Sequence, residues 1–204
     1  MLFILILLIV ILNKKEISMN DRIYKQSPDR LWSKERIERL EIENVITYCL
    51  DDGKVNNILD IGCGSGLFAE HLVRKGLKVV GIDINQDMID AAKNNVPEAE
   101  FLLAEAENLP FKDNSFDMVF LGLVLHEVND FEKSLSEAFR VCRIKTVVLE
   151  WKYEVANFGP PIEHRLKENF INEIAKSVGF GTIKSKHLSH LVLYTFIKIK
   201  ELET

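Results

Sequence analysis

The chain has 204 residues, 47% of them hydrophobic and 28% charged, with 26 Lys+Arg against 31 Asp+Glu for a formal net charge of −5. That length fits one domain with a small appendage, and the apolar fraction, with only ten glycines and five prolines, excludes global disorder and low-complexity classes. The acidic balance argues against a nucleic-acid partner held by bulk charge. The distant, unpaired Cys49, Cys63 and Cys142 fit neither a disulfide framework nor a zinc ribbon, and point to a reducing, cytoplasmic compartment.

Residues 1–12 read MLFILILLIVIL, without a break. As a helix this run spans about 18 Å, short of the roughly 30 Å hydrocarbon core of a bilayer. Lys14 and Lys15 follow the run instead of preceding it, and no small-residue cleavage site comes next, so a secretory signal is not the expectation. Three readings are open: an upstream extension with translation starting at Met19, a short anchor lying in a membrane surface, or an element packed on the domain. Residues 1–12 are the only segment through which membrane contact would be expected, and only under the second reading.

From Met19 onward helical and strand patterns alternate. The spacing of Leu31, Ile37, Leu40, Ile42 and Ile46 predicts one helix over 31–50, ended by a turn at Asp52-Gly53. A strand over 55–61 runs into Gly62-Cys63-Gly64-Ser65-Gly66, and a helix over 67–75 follows, closed by Gly76. Strands are expected over 78–83, 100–104, 116–121 and 145–151. Asn85 caps a helix to about Asn94, and Asn129 or Asp130 caps another to about Val141. A helix from Gly159-Pro160-Pro161 to Val178 and two strands near 181–186 and 191–199 complete the chain. The alternation implies an α/β fold: a doubly wound, mainly parallel sheet of seven strands with an antiparallel C-terminal hairpin at one edge.

Three glycines at alternate positions between a strand and a helix allow a tight turn, close backbone approach and free N–H groups at a helix start. A plain strand-to-helix turn needs one glycine, so a ligand is expected here. A dinucleotide loop reads G-x-G-x-x-G, but Leu67 stands where its third glycine belongs. Asp60, just before the loop, would repel a pyrophosphate and suits a cationic group. Asp83, ending the second strand, can accept hydrogen bonds from both hydroxyls of a ribose; its competing role is a helix cap, which Asn85 already fills.

Five segments occur in order: Asp60 to Gly66, Val79 to Asp83, AEAENLPF over 104–111, NSFDMVF over 114–120 and LHEV over 125–128. Together they resemble a class I S-adenosylmethionine-dependent methyltransferase, of the small-molecule (methyltransferase type 11) subgroup that includes the quinone-biosynthesis enzymes. The likeness is strong over residues 40–153. It implies a Rossmann-like methyltransferase fold, S-adenosyl-L-methionine as cofactor, a small-molecule methyl acceptor and no metal. It divides the chain into residues 1–18 outside the domain and a single domain over 19–204. Within that domain it implies a helical cap over 19–50, a cofactor-binding core over 51–154 and a C-terminal helix and hairpin over 155–204.

The resemblance also implies roles. Gly62, Cys63, Gly64 and Gly66 pack on the amino-acid part of the cofactor, and Asp60 helps hold its ammonium. Asp83 takes the ribose, Ile84 and Met88 lie against the adenine, and Glu105 and Ala106 read its edge. Leu121 and Gly122 approach the methionine end. Residues 24–32 correspond to a lid, with Tyr24 and Trp32 as aromatic cover, although ordinary helix packing competes for Trp32. The chain departs from the family at Glu105, where Asp is common, and in the short 140–145 segment, which lacks a Pro-Gly-Gly turn.

Methyl transfer from a sulfonium is an in-line displacement that chiefly needs alignment, with a base only where the acceptor must lose a proton. Candidate groups near the methyl are His126, Glu127, Glu150 and His164; a packing role competes for His126. Trp151, Tyr153, Phe158 and the Gly-Pro-Pro segment are candidate walls of an acceptor pocket. The competing functions are a nicotinamide-dependent oxidoreductase, opposed by Leu67, and a non-catalytic cofactor-binding protein associated with a membrane, supported by residues 1–12 alone.

Overall fold

The structure, a computed structural model, describes residues 22, 27–51 and 55–199; the apolar run of 1–12, Tyr24 and the turn at Asp52-Gly53 lie outside them. Seven strands form one sheet: β1 Asn57–Ile61, β2 Lys78–Asp83, β3 Glu100–Leu103, β4 Phe116–Gly122, β5 Cys142–Trp151, β6 Thr182–His187 and β7 Leu191–Ile197. Their order is β3-β2-β1-β4-β5-β7-β6. The first five pair in parallel, and β7 runs antiparallel to both β5 and β6. The mainly parallel sheet with an antiparallel C-terminal edge agrees with the sequence expectation.

Side-chain alternation splits the core in two. Ile58, Met118, Phe120, Val147 and Leu149 face one layer, with α2 (Ile42–Cys49), α3 (Leu67–Arg74) and α4 (Gln86–Asn95). Leu59, Val119, Leu121 and Val148 face the other, with α5 (Phe131–Val141) and α6 (Glu168–Val178). The central strand β4 is buried along nearly its whole length, as a strand covered on both faces must be. From β1 the chain winds outward to β2 and β3, then returns to place β4 on the other side of β1. Such a switch point opens a crevice at the carboxyl ends of the strands.

Three expectations need correction. The helix over 31–50 is a 3₁₀ turn (Pro28–Trp32) followed by α1 (Lys34–Leu40) and α2, broken at Glu41, which has a left-handed backbone (φ 49°). The break lets Leu40 and Ile42 both turn inward and frees the Glu41 carboxylate to accept from the Ser189 backbone N–H (2.7 Å) in the β6–β7 turn. Strand β5 begins at Cys142, directly after α5, and not at Lys145. Asp117 ties this stretch down: it pairs with Arg143 and accepts the backbone N–H groups of Asn56 and Asn57. The helix predicted from the double proline starts only at Glu168; a 3₁₀ turn, Ile162–His164, comes first.

Candidate active site

The glycine loop bends at the end of β1, and two contacts show why glycine is required. Gly62 has φ 67°, and a Cβ there would lie 2.3 Å from Cγ2 and 2.6 Å from Cβ of Val124, in the segment after β4. Gly64 has φ 52°, and a Cβ there would meet Leu31 at 2.9 Å. L-residues avoid this backbone region because Cβ crowds the carbonyl oxygen. Asp83 clamps the loop: its Oδ2 accepts the Gly64 N–H (2.9 Å) and its Oδ1 the Asn85 N–H (2.9 Å). One carboxylate thus fixes both the glycine loop and the start of α4, whose cap is the Asn85 side chain.

Above this clamp lies a cavity of about 420 Å³ at the carboxyl ends of β1, β2 and β4. Of the predicted residues, Gly62, Cys63, Gly64, Asp83, Ile84, Met88, Glu105 and Ala106 line it. Three do not. Leu121 is wholly buried in the α5–α6 layer, because strand alternation turns it away from the face of Phe120; Gly122 and Leu123 form the wall in its place. Gly66 packs on α4, where a Cβ would lie 3.1 Å from Val96. Asp60 sits behind the loop, 1% exposed.

Asp60 is also electrostatically unusual. Its Oδ2 has no hydrogen-bond partner among the described residues. Burial, with the Asp83 carboxylate nearby, pushes its carboxyl up to about 8. Burial likewise raises Asp83, against the lowering effect of its bonds to Asn85 and Gly64. The same burial and the two aspartates keep the Cys63 thiol protonated, well above its ordinary value. The Gly64 and Gly66 N–H groups are already bonded to Asp83 and to the Cys63 carbonyl, so the loop with its two raised carboxylates fits a ligand bringing hydroxyl donors and a positive charge, and does not fit a pyrophosphate.

Sequence reasoning missed several wall residues. Leu31, from the Pro28–Trp32 turn, reaches the cavity, and Trp32 Nε1 donates to Ser65 Oγ (3.0 Å), which in turn donates to the Pro28 carbonyl (3.1 Å). Trp32 therefore ties this turn to the glycine loop as well as packing on the core. Arg36 and Glu107 also line the cavity; each reads in sequence as an ordinary surface charge. Glu107 Oε1 accepts from the backbone N–H of Asn129 (2.8 Å), joining the segments after β3 and β4.

A second cavity, about 690 Å³, shares Arg36, Leu123 and Glu127 with the first. His126 and His164 line it, together with Trp151, Phe158 and the Gly-Pro-Pro segment. Glu150 lines neither cavity, being 1% exposed, yet the fold brings it to His126: both carboxylate oxygens contact Nδ1 (3.0 and 2.8 Å), and Oε1 also accepts the His126 backbone N–H (3.0 Å). Burial works against protonating His126, but Glu150 outweighs it, and the imidazole stands above its ordinary value. With Nδ1 engaged by a carboxylate, the neutral ring carries its proton there and leaves Nε2 as the base.

The loop around this cavity is held by Arg165, a residue without a sequence signature. Buried at 4% exposure, it donates to the carbonyls of Pro160 (2.9 Å), Lys152 (3.0 Å) and Phe158 (2.6 Å). The guanidinium also lies over Trp151, 5.6 Å from the ring centroid.

A glycine loop clamped by a strand-end aspartate at the switch point of such a sheet defines a nucleoside-binding α/β protein. Residues 59–149 match the family model of a methyltransferase domain. The chain is 32% identical over 170 residues to a ubiquinone/menaquinone biosynthesis C-methyltransferase of Rickettsia prowazekii, covering 76% of this chain and 59% of that protein. It is 37% identical over 105 residues to a demethylmenaquinone methyltransferase of Renibacterium salmoninarum, covering 50% and 44%. The chain therefore spans about half the length of the curated relatives it matches. Among solved structures, a SAM-dependent methyltransferase from Aquifex aeolicus superposes with a TM-score of 0.73 at 24% identity, over 86% of this chain and all of that one. A magnesium protoporphyrin IX methyltransferase from Synechocystis, with bound SAH, has a TM-score of 0.67 at 17% identity, over 80% and 85%. Residues 59–149 are thus similar to a methyltransferase domain, and the chain shares its fold with S-adenosylmethionine-dependent methyltransferases.

Proposed function

We propose that the protein transfers the methyl group of S-adenosylmethionine to a small-molecule acceptor seated in the second cavity. The observation that carries this reading is the Asp83 clamp: one carboxylate holding Gly64 and Asn85 at the lip of the first cavity, with unused lone pairs for a ribose. Gly62, Cys63 and Gly64 would hold the amino-acid end of the cofactor and Asp60 would favour its ammonium. Ile84 and Met88 would cover the adenine, and Glu105 and Ala106 would read its edge. Bound there, the cofactor supplies an electrophilic methyl group on a cationic sulfur.

The two cavities meet at Leu123 and Glu127, so an acceptor in the second presents its reacting atom across that junction. His126 would take a proton from an acceptor hydroxyl through Nε2, with Glu150 orienting the ring and stabilising the imidazolium that forms. Deprotonation prepares either an oxygen or an adjacent ring carbon as nucleophile. His164 lines the same cavity and would position the acceptor. Leu67 and the raised aspartates disfavour a nicotinamide cofactor.

The assay is methyl incorporation from labelled S-adenosylmethionine into small-molecule extracts. Incorporation is expected with wild-type protein and a loss of at least 100-fold with His126→Ala; incorporation unchanged in that variant would remove the base. A single domain over 19–204 belongs to the same reading, supported by the one sheet that all described strands share. So does a cytoplasmic setting, supported by Cys49, Cys63 and Cys142, all buried and free. No helix among the described residues is long and apolar enough to cross a membrane.

A further inference from the structure

We propose that the methyl acceptor is an anion, a planar hydroxy acid or its phosphate counterpart, whose charged group is held by Arg22 and Arg30 while its hydroxyl faces His126. This rests on the methyltransferase reading and names the substrate class it left open.

The second cavity is basic in a chain that is acidic overall. Four arginines line it, Arg22, Arg30, Arg36 and Arg39, against the carboxylates of Glu35 and Glu127, while the chain carries a net charge of −5. The arginines are not equivalent. Arg39 is committed to the fold: it pairs with Glu35 and lies 4.4 Å from the centroid of the Phe158 ring. Arg36 is shared with the first cavity. Arg22 and Arg30 have neither commitment. Among the described residues no hydrogen bond or ion pair engages either guanidinium, and the Arg22 Nε is buried without a partner. A buried N–H donor lacking a partner is costly, and an incoming carboxylate or phosphate satisfies it with a charge-assisted, two-pronged bond.

The remaining wall selects shape. Trp151 and Phe158 stand with ring centroids 5.8 Å apart, and Pro160 and Pro161 stiffen the segment beside them. A flat acceptor packs against such a surface. The same cavity holds His126 with Nδ1 already bound to Glu150, so the base is aimed at a group that must lose a proton. An anion at one side and an ionisable hydroxyl at the other account for both sets of residues, which a neutral or cationic acceptor does not.

The test uses the full chain and three ring probes: 4-hydroxybenzoate, phenyl phosphate and the neutral 4-hydroxybenzyl alcohol. Affinities are read by ligand-observed NMR, with and without S-adenosylhomocysteine, for wild type and for Arg22→Gln/Arg30→Gln. Among the described residues neither side chain holds a partner, so the double variant breaks no contact between them. At least one anion is expected to bind tenfold or more tighter than the alcohol, the ratio to fall below threefold in the variant, and S-adenosylhomocysteine affinity to stay unchanged. The tighter anion sorts carboxylate from phosphate. Absence of any preference for an anion, or a preference that survives the variant, overturns the proposal. Failure of S-adenosylhomocysteine to bind the wild type overturns the methyltransferase reading; because the probe ratio is also measured without it, the two failures are distinguishable.

Discussion

Adding one methyl group at Gly62 separates backbone strain from collision in the glycine loop. Gly62→Ala places a Cβ 2.3 Å from Cγ2 and 2.6 Å from Cβ of Val124, at φ 67°. The left-handed backbone costs an L-residue about 1–2 kcal/mol. The collision adds about 1–3 kcal/mol, since Val is stiff at χ1 and its Cβ cannot swing aside. Gly76→Ala is the control: φ is 81°, but a Cβ there meets nothing within 4 Å, so it carries the backbone cost alone. The difference between the two variants is then the collision, about 1–3 kcal/mol, or roughly 2–12 °C in Tm at this chain size. Thermal unfolding monitored by circular dichroism reads it. Val124→Gly, which removes the obstructing side chain, should return most of the difference in the double variant. Gly62→Ala and Gly76→Ala melting within 1 °C of each other would refute the placement of the loop against the segment after β4.

Three further outcomes are expected. Glu150→Gln removes the carboxylate that holds His126 above its ordinary value, so the acid limb of the kcat/KM profile should move to lower pH and kcat should fall by about 10–100-fold; an unmoved limb would exclude His126 as the base. Arg165→Met strips three loop carbonyls of their donor, so KM for the acceptor should rise and proteolysis within 152–161 should speed up while S-adenosylhomocysteine affinity holds; equal KM would separate this clip from the acceptor site. Asp60 is protonated more readily folded than unfolded, so its contribution to stability is complete below about 4 and fades as pH rises through about 8. Asp60→Asn should therefore flatten the decline of Tm between pH 5 and 8, and an unchanged slope would contradict the burial of that carboxyl.

The strand pattern was legible because buried parallel strands read as unbroken apolar runs. Strand β2 falls on 78–83 as expected from KVVGID, and Asn85 caps α4 through its own side chain. The glycine loop and Asp83 were legible because their chemistry is local: φ > 0 and a strand-end carboxylate are written in a few residues. What escaped was long-range. Glu41 breaks a helix whose periodicity runs through it, since its carboxylate is needed 148 residues away at Ser189. The start of β5 at Cys142 depends on pairing with Phe116 and on the Asp117–Arg143 contact, neither visible in a window around 140–145. Leu121 lies within β4, and only the packing of α5 and α6 shows which face it serves. His126 and Glu150 were separate candidates, 24 positions apart, until adjacent strands placed them in contact.

Calorimetric titration of S-adenosylhomocysteine into wild type and Asp83→Ala bears most directly on the account. Stoichiometric binding by the wild type, weakened at least 100-fold in the variant with Tm shifted by no more than a few degrees, is the predicted result. No heat with the wild type, or equal affinity in the variant, would contradict a cofactor site built on the Asp83 clamp.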